Sequence, residues 1–125
     1  MTILVVDADQ AFLEAVANLL LVCGVEEFEM ATSTEEALKK ISKAFFDIIL
    51  VNLFLPEMSG LHFANELRRR SPKTKTILLI EDQHQPEINS TGHPKPDFPS
   101  ILKSLVSRNL PLLLAEEPNS ISLNT

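Results

Sequence analysis

Three polar side chains stand where apolar runs end, and their types decide what chemistry the chain can carry. Asp7 closes Ile3-Leu4-Val5-Val6, Asn52 closes Ile48-Ile49-Leu50-Val51, and Glu81 closes the run from Thr76 to Ile80. A carboxylate at the end of a buried strand can attack an electrophile or help hold a cation. Asn52 carries no negative charge, and its nitrogen lone pair is delocalised into the carbonyl, so it is a poor nucleophile. Pro56 follows it by four positions and Gly60 by eight, framing a loop that leads into a helix. Other reactive residue types are scattered. His62, His84 and His93 have no metal-ligand spacing to one another or to Cys23. With only three glycines, no phosphate-cradling loop can be written. Asp9 and Ser59 are expected to cap helices.

The elements that must position these residues follow from hydropathy. Ile3 to Val6 predicts a strand buried on both faces. Phe12, Val16, Leu19, Leu20 and Cys23 recur at helical spacing until Gly24 stops them. Val25 to Ala31 predicts a weaker strand. Ser33-Thr34-Glu35-Glu36 is a capping box for a helix with Ala37, Leu38 and Ile41 inward. Ile48 to Val51 is the third strand, and Leu61, Phe63, Ala64 and Leu67 mark the third helix, which Ser71-Pro72 ends. Thr76 to Ile80 is the fourth strand. Alternating strands and helices on short loops imply parallel crossovers and a doubly wound sheet. Beyond Glu81 the pattern fails. Residues 82–94 hold Ile88 as their only large apolar residue, with Pro86, Gly92 and Pro94 among them. A helix here is expected to be shortened or lost, and a fifth strand vestigial or missing. Phe98, Ile101, Leu102, Leu105 and Val106 predict a last helix with Pro99 in its first turn. A tail or linker is expected from 110 to 125, with Leu110 to Leu114 either prolonging the helix, lying on the open sheet edge or forming an interaction surface.

The opening Ile-Leu-Val-Val-Asp, the third strand with Pro56 and Gly60, and Lys95-Pro96 together resemble the receiver domain of two-component response regulators, over 1–109. The resemblance implies a flavodoxin-like α/β fold of (βα)5 type, with its fourth helix and fifth strand shortened or lost. It also assigns positions. Asp7 takes the first of two acidic metal-binding positions and Ala8 the second, with Asp9 one residue late. Asn52 takes the phosphate-accepting position, Phe54 the metal-binding carbonyl, Glu81 a hydroxyl position, Lys95 the lysine and Pro96 the proline after it. Gly92 falls where an aromatic switch residue would be. One carboxylate of three remains for the ion, so Mg2+ is expected to bind weakly at Asp7 or not at all, with no other cofactor. Glu81 either pairs with Lys95 or points to solvent.

The expected function is therefore a receiver-like module, a pseudo-receiver, that is not phosphorylated in the usual way and acts through protein partners. Those would be a sensor kinase, an output domain or a second copy, the last through an open sheet edge or the Leu110–Leu114 tail. One alternative is a working regulator phosphorylated at Asp9 or Asp7; another is a small enzyme on the same fold, resting on analogy alone. The net charge of −6, from 17 acidic and 11 basic residues, argues against nucleic acid as partner. Arg68-Arg69-Arg70 complements a helix dipole rather than forming a phosphate patch. A single cysteine fits a reducing compartment, and Cys23 is expected in apolar packing. No run reaches the roughly 18 apolar residues of a spanning helix, and the start lacks a signal-peptide pattern. A cytoplasmic, membrane-free protein is expected.

Overall fold

The computed structural model describes residues 1–81 and 98–115. Five strands, β1 (Thr2–Val6), β2 (Glu27–Ala31), β3 (Ile48–Asn52), β4 (Lys75–Ile80) and β5 (Ser100–Leu102), form one sheet in the order β2-β1-β3-β4-β5. Every pairing is parallel. The helices are α1 (Gln10–Val22), α2 (Thr34–Ile41), α3 (Gly60–Arg70) and α4 (Val106–Ala115), the last preceded by a 3-10 turn at Lys103–Leu105.

Parallel strands covered on both sides need apolar residues on both faces, and the pleat sorts them by parity. Ile3, Val5, Ile48, Leu50, Ile77 and Leu79 face one layer, where Leu13, Val16 and Leu20 of α1 meet Val106 and Leu110 of α4. Leu4, Val6, Ile49 and Val51 face the other, against Ala37 of α2 and Phe63 and Leu67 of α3. The strand order reverses between β1 and β3, and the crevice beyond their carboxyl ends is where such sheets place their sites.

Sequence periodicity misplaced the end of the chain. Residues 98–102, expected in a helix, instead contain β5, whose Ser100, Ile101 and Leu102 pair with Leu78, Leu79 and Ile80. The helix begins only at Val106 and runs across the expected boundary at 109/110 to Ala115, with Pro111 inside it. Leu110 is fully buried, and Leu113 and Leu114 pack against the α1 layer. The burial of that apolar stripe outweighs the lost hydrogen bond at Pro111, which costs about 3 kcal/mol. Leu110 to Leu114 thus prolongs the helix, the first of the three expected arrangements, with Leu112 alone of its leucines left exposed, and β5 covers the carboxyl half of the β4 edge. Residues 82–97 and 116–125, which carry the expectations for a lost helix, Gly92, Lys95 and Pro96, lie outside the described residues. Among the described residues no helix is long and apolar enough to cross a membrane.

Candidate functional site

β1 and β3 end side by side, with Val6 in register with Val51, so the next residues, Asp7 and Asn52, share one crevice. Both are buried. Asn52 Nδ2 donates to Asp7 Oδ1 at 3.1 Å. The same oxygen accepts the Asp9 amide N–H at 2.9 Å. The other oxygen, Oδ2, is met by the Lys103 ammonium at 2.8 Å, and no other described group bonds it. Asn52 Oδ1 is occupied as well, accepting the Phe54 amide N–H at 3.0 Å.

Lys103 comes to this place because β5 ends at Leu102 and the chain turns there in a 3-10 bend. Its stem crosses towards α1, and Nζ lies 4.2 Å from the centroid of the Phe12 ring. The cation thus has a carboxylate on one side and an aromatic face on the other. Its side chain is only 13% exposed.

The loop after β3 is closed by Gly60. Its N–H donates to the Leu53 carbonyl at 2.6 Å. A Cβ at Gly60 would collide with the Asn52 carbonyl oxygen and stand 2.6 Å from Leu53 Cα. Only glycine lets α3 start this close to the strand that carries Asn52. Ser59 caps α3 by accepting the Leu61 and His62 amides, and Asp9 caps α1 by accepting the Phe12 amide. Neither side chain is placed as a nucleophile.

Asp7, Ala8, Asp9, Asn52, Pro56, Glu81 and Lys103 line one open recess of about 470 Å³. Of the expected site residues the fold therefore gathers Asp7, Ala8, Asn52, Phe54, Pro56 and Glu81. Lys95, and with it a Glu81–Lys95 pair, lies outside the described residues. Lys103 was missed in the sequence. Its signal was Ile101-Leu102 closed by a polar residue, the pattern that marked Asp7 and Asn52, but only two apolar residues long. His62 is exposed on α3, and Cys23 is the half-buried C-cap of α1. Among the described residues no group of three or more His, Cys, Asp or Glu is arranged to hold a metal.

The family model of the response regulator receiver domain matches residues 3–91. A response regulator receiver protein of Anaeromyxobacter sp. (strain Fw109-5) is 33% identical over 76 residues, covering 61% of this chain and 32% of that protein. The match thus spans about a third of that relative's length. The crystal structure of a response regulator receiver domain protein from Clostridium thermocellum has a TM-score of 0.79 at 21% identity, covering 99% of this chain and 98% of that one. The response regulator TrrA from Thermotoga maritima, solved in complex with Mg2+ and BeF, has a TM-score of 0.74 at 28% identity, covering 92% and 96%. The shared architecture is the flavodoxin-like receiver fold.

Proposed function

The chain belongs to the response regulator receiver family, and on that premise we propose that it is a receiver module in which a fixed ion pair replaces the phosphorylation cycle. It works by binding a protein partner of its two-component system, a sensor kinase or an output domain, and not as an enzyme. One observation carries this reading: both oxygens of Asp7 are engaged by groups of the chain itself, Asn52 and the Asp9 amide on one side and Lys103 on the other.

Phosphoryl transfer to such a pocket needs an attacking carboxylate and a cation to offset charge on the phosphoryl oxygens. Asn52 supplies no attacking oxygen. Mg2+ does not fit the donor set either. It dehydrates reluctantly and is held by carboxylates together with phosphate oxygens, whereas Ala8 offers a methyl and Asp7 is already neutralised by an ammonium. Glu81 adds negative charge at the rim, and two like unit charges ~4 Å apart at an effective dielectric near 20 repel by about 4 kcal/mol.

The other carboxylates do not favour phosphorylation at a substitute residue. Asp7 is buried and paired, and Asp9 is committed to the α1 cap. Self-association through the sheet has two edges to use, β2 and β5. β2 presents exposed Glu27 and Glu29, charges that discourage edge pairing, and β5 is only three residues long, so a kinase or an output domain is favoured over a second copy.

The test is intact mass after incubation with Mg2+ and acetyl phosphate, beside a receiver that has aspartate at the acceptor position. The chain stays unmodified while the control gains a phosphoryl group. A stable phosphoryl adduct on this chain overturns the reading.

A further inference from the structure

The opposite end of the sheet carries a second feature, independent of the phosphorylation question. Eight of the 11 basic residues fall between Lys39 and Lys75, where Asp47, Glu57 and Glu66 are the only acids. The net charge of −6 hides this segregation. α2 and α3 both end at the amino edge of the sheet, and the loops that follow them touch. Thr74 Oγ1 donates to the Phe46 carbonyl at 2.7 Å, and the Lys75 amide donates to the Asp47 carbonyl at 2.9 Å.

Between these loops lies a recess of about 350 Å³ whose apolar floor is Ile41, Phe46 and Ile49 and whose rim carries Lys43, Phe45 and Arg70. Phe45 is 54% exposed. Basic residues at a helix C-terminus are explained by the dipole alone, and Arg69 is engaged with Glu66 and Arg68 with Phe98. That explanation does not reach Phe45, nor Lys73 and Lys75 beyond the end of α3. Lys43 and Lys73 have no ion partner among the described residues. Nearby acids are spoken for: Asp47 accepts the Thr2 amide at 2.8 Å, and Glu66 takes the arginines of its own helix.

We propose that this recess docks an acidic peptide segment of a partner protein, with one apolar side chain of the segment seated between Phe45 and Phe46 and its carboxylates on Lys43 at the rim and Lys73 in the adjoining loop. Cations beside an apolar floor select this occupant. A fully charged polymer leaves the floor unfilled, and a neutral apolar segment leaves the rim unpaired. The recess is the size that takes a side chain or two, as ligand pockets do.

Three labelled probes are titrated into the full chain, followed by anisotropy and by amide chemical shifts. They are a Glu/Asp-rich decapeptide with a central Leu, the same peptide with Ala, and a thymidine oligonucleotide. The Leu peptide is expected to move the amides of Lys43 to Phe46 and Ser71 to Thr74, to weaken with added salt, and to bind at least about tenfold less well to Phe45→Ser or Lys43→Glu. Both substitutions are on exposed side chains, and far from Asn52, whose amide stays still. The proposal falls if the Ala peptide binds equally well, if the oligonucleotide binds more tightly, if self-association moves the same amides without peptide, or if millimolar Leu peptide moves none.

Discussion

Lys103 holds its ammonium nitrogen 2.8 Å from Asp7 Oδ2, and Asp7 is 1% exposed. A charge buried so deeply is tolerated because its partner is fixed, and the pair's value lies in what happens when one member is removed. Lys103→Met leaves Asp7 an uncompensated charge, and a loss of about 3–5 kcal/mol is expected in urea unfolding at neutral pH. Asp7→Asn together with Lys103→Met should recover much of that loss. A double-mutant cycle with no coupling between the two positions would show that the contact carries no energy.

Asn52→Asp sets a second carboxylate beside Asp7, at a position where Nδ2 now donates over 3.1 Å. Two carboxylates in one buried site hold one proton above the ordinary range. A carboxyl with a raised folded pKa costs stability above its unfolded value, so the deficit of this variant, about 1–3 kcal/mol, is present at neutral pH and shrinks as the pH falls towards about 4. Added Mg2+ should reduce the deficit in the variant and leave the parent unchanged. Unfolding midpoints with and without Mg2+ at two pH values measure both effects.

Most of the site was legible because it sits at the ends of long apolar runs. β1 and β3 announce themselves by unbroken Ile, Leu and Val, so Asp7 and Asn52 could be placed together before any coordinates. Pro56 and Gly60 carry a backbone requirement that sequence shows directly. Lys103 was not legible. Lys95-Pro96, which matched a two-residue pattern, lies outside the described residues; Lys103 reaches Asp7 from the end of a strand of only three residues. Phe98, Ile101, Leu102, Leu105 and Val106 also fit a helical spacing, and three strand residues are too few to contradict it. Pairing with β4, a tertiary effect, decides. Helix continuation past Pro111 was one of three open arrangements, because local propensity disfavours what packing of Leu110, Leu113 and Leu114 permits.

Gly60→Ala tests the loop frame. The added methyl meets backbone, the Asn52 carbonyl and Leu53 Cα, and backbone cannot step aside as a flexible side chain would. Overpacking of this kind costs about 1–3 kcal/mol, and the amides of Leu53 and Phe54 should shift. Gly24→Ala is the contrast. Its φ of 86° sits in open space, so the left-handed backbone alone sets a cost of roughly 1–2 kcal/mol with no shift at Asn52.

Glu36 gives the fold an acid-sensitive joint away from the site. Ser33 caps α2 by accepting the Glu36 amide at 3.1 Å, yet Glu36 Oε1 does not return to Ser33. It accepts the Thr32 amide at 2.8 Å and the Thr32 hydroxyl at 3.1 Å. The Thr32 amide bond is the main reason the Glu36 carboxyl is held below its ordinary value; desolvation opposes it, and the Thr32 hydroxyl, Lys40 and Lys39 assist. A depressed carboxyl pKa adds stability above the unfolded value, about 4.3, and that stability is lost as the pH falls through the lower folded value. Glu36→Gln should therefore flatten the acid limb of stability while changing little at low pH. Urea midpoints taken from about pH 6 down to about pH 3 show whether the parent and variant curves converge. If they stay parallel throughout, the Thr32–Glu36 bond contributes nothing to the start of α2.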